Sequence, residues 1–277
     1  MLYIYEKILK EMEKQSDMKA IKGKTKFRQY LFLIRELSGR EIKRKYARSF
    51  LGIVWSVLNP LLTMVVMSVI FTYMFSHNIE HYPVYMLCGQ ITYTLFSGIT
   101  NTSMSSLVDN KNMLLKVKFP RIIFPLSRGI TALTTYGYSL IALAIVMIFM
   151  RVWVSVYTLL VPFIILFLFL FSTGVGYILS VLYVFFADIK YLYSVFLTLL
   201  MYCSAIFYSA ERLSPTMQIL ILMNPMYIFI TSFRKCMIYA TMPETMEWMQ
   251  MIVWGIGMYI VGCYVFKKSQ NAIMQKL

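Results

Sequence analysis

The chain has 277 residues, of which 59% are hydrophobic and only 14% charged, and its mean hydropathy is +0.67. A soluble domain carries roughly a quarter charged residues and under half apolar ones, so a single water-soluble core, a disordered chain and a disulfide scaffold are excluded and a membrane protein is indicated. The net charge of +15 would point a soluble protein towards nucleic acid; here residues 1–50 hold 14 Lys and Arg against 6 Asp and Glu. A basic flank ahead of a nearly uncharged remainder marks a cytoplasmic segment held by the positive-inside bias, and no nucleic-acid partner is expected.

In chain order, residues 1–26 lack the apolar core of a secretory signal and are expected to form a cytoplasmic N-terminal segment. Residues 27–48 are expected to be an amphipathic interface helix with a basic flank. Phe27, Tyr30, Leu31, Ile34 and Leu37 recur at helical spacing, with Arg28, Arg35 and Glu36 opposite. Such a helix suits the cytoplasmic face of a bilayer, and Gly39 is expected to end or bend it; a soluble helix packed on the N-terminal residues is the alternative. The transmembrane domain is expected over 49–268. A bilayer core of about 30 Å needs about 20 helical residues; segments 51–75, 83–106, 130–150, 154–181 and 191–208 are expected to meet that length, and 246–266 is expected as a sixth span. A short tail, 269–277, follows.

Residues 209–245 are apolar but interrupted by Pro215, Asn224-Pro225 and Pro243. The run 217–233 has 17 residues with Asn-Pro in its middle. Proline removes a backbone donor and crowds the preceding turn, and irregular backbone at membrane depth survives only against protein or a cavity. Two short re-entrant or interfacial helices on the outer side are therefore expected. Charge hardly arbitrates, since Lys and Arg split 23 to 4 across the membrane with six spans and 22 to 5 with seven. The expected fold is an all-α polytopic membrane protein with six transmembrane helices, an N-terminal amphipathic interface helix, re-entrant outer helices between spans 5 and 6, and both termini cytoplasmic.

Chemistry-bearing patterns are few. His77, Glu80 and His81 match H-x-x-E-H, a zinc-protease arrangement, but they lie in a loop of about seven residues between two spans, where loop composition explains them better than catalysis. Gly23-Lys24-Thr25 resembles the end of a phosphate-binding loop, yet Met18 stands where its first glycine belongs and no apolar strand precedes it. Cys88, Cys203, Cys236 and Cys263 are scattered without metal spacing. No catalytic residue, metal site or nucleotide site is expected in this chain.

The second span carries Gln90, Thr94, Ser97, Asn101 and Ser105 at spacings of four, three, four and four, a polar stripe down one side of a membrane helix. It can line a passage for a hydroxyl-rich substrate, or join helices by hydrogen bonds of about 0.6 kcal/mol each; both readings stand at this point. Aromatic residues make up 16% of the chain. They anchor helices at bilayer interfaces or stack on sugar faces, and Trp55 and Tyr93 join Gln90, Thr94, Ser97 and Asn101 as candidates for a translocation path. No acid or histidine occurs at mid-span, where an ion-coupled carrier keeps one. A passive or externally powered translocator fits better.

Arg40-Glu41-Ile42-Lys43-Arg44-Lys45-Tyr46, then Ser49-Phe50-Leu51-Gly52-Ile53-Val54-Trp55 and Asn59-Pro60, resemble the start of the membrane subunit of ABC-2 type polysaccharide exporters. The blocks Asn112-Met113-Leu114-Leu115-Lys116-Val117-Lys118-Phe119-Pro120-Arg121, Phe186-Ala187-Asp188-Ile189, Ser204-Ala205-Ile206-Phe207-Tyr208, Asn224-Pro225 and Phe233-Arg234 continue the likeness from about residue 28 to the C-terminus. The chain departs from the family where Ala187 replaces a common arginine and where Ala205 and Ser209 replace prolines. The resemblance implies a homodimer in the bacterial cytoplasmic (inner) membrane, with two copies of a separate ABC ATPase subunit that holds the ATP and Mg. It implies a lipid-linked glycan such as O-antigen, capsule or teichoic acid as substrate. It also implies a coupling loop, with Asn112, Leu114, Lys116, Val117, Phe119, Pro120 and Arg121 facing the ATPase, and an outer gate at Tyr208, Asn224, Pro225 and Arg234. An ABC-2 exporter of small amphiphiles or drugs is the second expectation, and a membrane-embedded zinc hydrolase a distant third.

Overall fold

The computed structural model describes residues 24–47, 49–75, 79–116 and 120–276. The fold is 84% helix, with no strand among the described residues. The helices, in order, are α1 (Lys24–Tyr46), α2 (Trp55–Phe75), α3 (Tyr82–Asp109), α4 (Lys111–Lys116), α5 (Ile123–Phe149), α6 (Val161–Phe185), α7 (Ile189–Tyr202), α8 (Pro215–Leu222), α9 (Pro225–Met237) and α10 (Thr245–Lys276). Among the described residues, four stretches are long and apolar enough to cross a membrane: Gly52–Ile70, Ile123–Phe149, Val156–Phe185 and Thr245–Lys276. The chain is a polytopic helical membrane protein.

α3 is the centre of the bundle. It packs along α5 and α6 and meets α2 and α9 on other sides, so most of its residues are buried. With 28 residues it is about 42 Å long at 1.5 Å per residue, but its hydroxyl and amide side chains keep it out of the strongly apolar group. α6 and α10 form the most extensive helix pair. Gly174 and Gly262 face each other there, and a Cβ on either would overlap the opposing backbone. Close backbone approach through small residues is how helices gain packing where lipid offers no hydrophobic drive.

α1 differs from its expectation in two ways. It runs unbroken through Gly39 to Tyr46, because packing of the flanking turns outweighs the ~1 kcal/mol helix penalty of glycine. Its buried face is Leu33, Leu37, Ser38 and Glu41, whereas Tyr30 and Leu31 of the expected apolar stripe stay exposed. Leu33 and Leu37 join Leu107, Leu114, Ile123, Phe124, Tyr177, Val181, Phe266 and Ile273 in a second core. One face of α1 therefore packs on the bundle and a neighbouring face, with Tyr30 and Leu31, stays exposed.

α7 also departs from expectation. The segment expected to span 191–208 is helical only over Ile189–Tyr202, 14 residues or about 21 Å. It ends in an irregular turn with Ala205 at φ 49°. The interruption expected at Asn224-Pro225 is a helix start. Asn224 Oδ1 accepts the N–H of Met226 at 2.9 Å, and Pro225 occupies the first turn, where no donor is needed.

Candidate translocation path and outer gate

At one end of the bundle, α1, α3 and α5 are tied by charge. Arg128 on α5 donates to Glu41 Oε2 at 2.6 Å and to Asp109 Oδ2 at 3.0 Å. Arg40 donates to Glu41 Oε1 at 3.3 Å and to Asn110 Oδ1 at 2.6 Å. Ser38 Oγ adds a bond to the Ser127 carbonyl at 3.0 Å, and Tyr46 meets Ser56 at the start of α2. Glu41 is 7% exposed, so its two arginine partners are what make its burial tolerable.

A cavity of about 440 Å3 rises from this network between α3 and α5. Thr94, Gly98 and Thr102 line one wall and Thr131, Thr135 and Ser139 the other, with Arg44 and Lys45 at the charged end. The α3 stripe continues alongside it. Thr94 and Asn101 are exposed, and Gln90, Ser97 and Ser105 half-buried, on the one open face of an otherwise buried helix. Thr94 donates to the Gln90 carbonyl, Ser97 to Thr94 and Ser105 to Asp109, all within α3. Not one of these bonds reaches another helix, so the stripe does not join helices within the described chain. Trp55 lies 45% exposed at the start of α2. Tyr93 does not share the open face: it is buried, and its hydroxyl donates to the Leu197 carbonyl on α7 at 2.5 Å.

At the other end, the irregular turn after α7 is buried, with Ser204, Ala205, Ile206 and Phe207 all inaccessible or nearly so. Unpaired carbonyls here would each cost several kcal/mol in a membrane interior. Side chains satisfy five of the six carbonyls. Asn224 Nδ2 donates to Cys203 at 3.0 Å, Arg234 Nη1 to Ala205 at 3.0 Å and Nη2 to Ile206 at 2.8 Å, Tyr82 to Phe207 at 3.0 Å and Tyr85 to Tyr208 at 2.9 Å. Arg234 is 2% exposed, makes no ion pair to a described residue, donates through Nε to the Tyr85 carbonyl at 3.1 Å and stacks its guanidinium 3.5 Å from the Tyr85 ring centre. Gly89 makes the room, since a Cβ there would lie 2.6 Å from Arg234 Nη2. Tyr208 closes the turn by donating to the Tyr202 carbonyl at 2.6 Å. Tyr208, Asn224 and Arg234, far apart in sequence, thus hold one turn, with Pro225 beside Asn224. Tyr82, Tyr85 and Gly89 complete the arrangement. Sequence reasoning missed these three, and only Tyr82-Pro83 at a helix start hinted at them. Next to it, Lys235 bonds Glu247 at 2.9 Å and Glu244 at 3.3 Å. Burial opposes its charge, but the two carboxylates prevail and hold the ammonium above its usual range.

The loop after α3 is partly described. Leu114 is buried in the second core, Asn112 is exposed and Pro120 half-buried. Arg121 Nη1 donates to the Gln270 carbonyl near the end of α10 at 2.8 Å. Val117, Phe119 and the side chain of Lys116 lie outside the described residues.

The ABC-2 type transporter family model matches residues 33–238, from α1 through α9. The chain belongs to the ABC-2 type transporter family. It is 26% identical over 251 residues to the O-antigen export system permease protein RfbA of Myxococcus xanthus, covering 90% of this chain and 96% of that one. To an O-antigen export system permease protein RfbA of Klebsiella pneumoniae it is 28% identical over 245 residues, covering 86% and 93%. A shorter match, 29% over 76 residues, joins 27% of this chain to 30% of the polysialic acid transport protein KpsM of Escherichia coli. The open hydroxyl face and the buried turn therefore sit in an ABC-2 transporter whose relatives carry names of polysaccharide export.

Proposed function

We propose that this chain is the permease subunit of an ATP-driven exporter of lipid-linked polysaccharide in a bacterial cytoplasmic membrane, working as a homodimer with two copies of a separate ATPase subunit that binds ATP and Mg. The carrying observation is the α3 stripe, an open row of hydroxyl and amide groups without partners on any other described helix. A glycan chain presents the same donors and acceptors at each repeat and slides along weak bonds that hold it enough to enter and let it leave. A second copy facing this stripe closes a conduit around it. Arg44 and Lys45 at the charged end of the cavity carry no ion pair to a described carboxylate, and suit a pyrophosphate linker.

Six crossings follow in this reading. α3 is long enough and reaches lipid little, and α7 together with its stapled turn forms the fifth, with α8 and α9 re-entrant on the outer side and both termini cytoplasmic. The loop 109–121 is the coupling element. Leu114 in the second core and Arg121 on Gln270 link a push on that loop to α1, α3, α5, α6 and α10 together. Arg234 and Asn224 hold the outer gate. Deleting the gene tests the function: a polyprenyl-linked glycan should accumulate inside the cell and its surface form should vanish. An unchanged surface glycan with new sensitivity to small amphiphiles would replace this reading with the amphiphile exporter.

A further inference from the structure

At the end of α5 opposite the Arg128 network, a cavity of about 1010 Å3 opens between α5, α6 and the last turn of α9. Leu140, Ala144, Ile148, Val161, Ile165 and Met237 give it apolar walls, and Arg151 is its single charged liner. α5 has 27 residues, about 40 Å, which places Arg151 at headgroup level of the leaflet opposite Arg128. The backbone turns sharply here. Val152 N–H bonds the Met147 carbonyl at 2.9 Å and Arg151 N–H the Ile148 carbonyl at 3.1 Å, with Arg151 at φ 56°. This is the helix-ending position that glycine normally fills, so an arginine is held there in a left-handed conformation. Its side chain is exposed and bonds no described residue. Trp153 beside it is 87% exposed, as a residue seated among headgroups would be.

We propose that this groove binds an anionic glycerophospholipid, its phosphate on the Arg151 guanidinium and an acyl chain between α5 and α6. Guanidinium matches a lipid phosphodiester with two parallel hydrogen bonds, and the apolar walls below take the chain. Arg151 is the single charged liner and pairs with no described carboxylate, so a headgroup of net negative charge neutralises it, whereas a zwitterion's phosphate is already balanced by its own ammonium. The bound lipid braces the gate. Met237 lies three residues beyond Arg234, and Thr158 on the facing segment already contacts the Cys236 carbonyl at 3.5 Å. The site is independent of which substrate is exported.

Native mass spectrometry of the purified full-length protein, offered equal phosphatidylglycerol and phosphatidylcholine, tests the proposal. The wild type should retain phosphatidylglycerol about fivefold over phosphatidylcholine, the ratio that about 1 kcal/mol for one exposed ion pair gives. Arg151→Lys should keep a preference. Arg151→Gly should abolish it while melting no lower than wild type, because glycine suits the left-handed turn. Ala144→Trp should fill the groove and reduce retention of both lipids. Equal retention by the wild type, or an unchanged preference in Arg151→Gly, would overturn the proposal. Displacement of phosphatidylglycerol by equimolar undecaprenyl phosphate would also overturn it, assigning the groove to a polyprenyl lipid.

Discussion

Arg234 makes three hydrogen bonds around the turn after α7, as many as Asn224, and is the only one of the two that carries a charge. A charge buried without a carboxylate is expensive, but three carbonyls and an aromatic face surround this one, and the turn it holds could not remain non-helical in a dry interior without donors. Arg234→Met should therefore lower the stability of the purified protein by about 2–6 kcal/mol, taking about 1–3 kcal/mol for each of the two turn carbonyls left bare. Thermal melting in detergent measures this. Arg234→Lys keeps the charge but loses the planar fork, and should recover only part of the melt. Gly89→Ala should act in the same direction and less strongly, because its methyl displaces the guanidinium from its carbonyls.

At the scale of elements, the stripe on α3 and the loop after it make separable predictions. Asn101 is exposed and bonds no described residue, so Asn101→Leu should leave the melting of the isolated chain unchanged. If the stripe lines a sugar passage, export of surface glycan should fall while the dimer stays as stable as before. If it instead joins two copies, the dimer should weaken by roughly 1 kcal/mol, as a dilution series followed by light scattering would show. Arg121 offers a test of coupling. Removing its bond to Gln270 by Arg121→Ala should leave the protein in the membrane but raise ATP hydrolysed per glycan exported in the reconstituted complex. An unchanged ratio at normal expression would remove the loop from the coupling route.

The topology of the whole molecule remains a prediction with a direct test. Fluorescent-protein and alkaline-phosphatase fusions after Lys268 should give fluorescence and no phosphatase activity, as six crossings with a cytoplasmic C-terminus require. Strong phosphatase activity there would mean that α8 and α9 cross the membrane. α8 and α9, 8 and 13 residues long, are separated by the helix start at Asn224-Pro225. The six-crossing reading keeps both on the outer side, while α7, 14 residues, crosses with the stapled turn that follows it.

The sequence by itself determined the class of this protein and most of its helices, because apolar length and helical spacing are local quantities. It showed the α3 stripe, since a period of three and four can be counted, and an interruption at Asn224-Pro225, since proline acts within one turn; that the interruption is a capped helix start came from the structure. It misplaced the end of α7, where an apolar run continues through residues that are not helical. It also took Gly39 for a break and put Tyr93 beside the stripe. Only the tertiary structure decided these points. Whether 203–208 can leave the helix depends on donors from Tyr82, Tyr85, Asn224 and Arg234, which are brought together by packing. Which side of α3 is open depends on the helices around it, and a charge such as Arg234 declares itself a staple only when the carbonyls it serves are folded onto it.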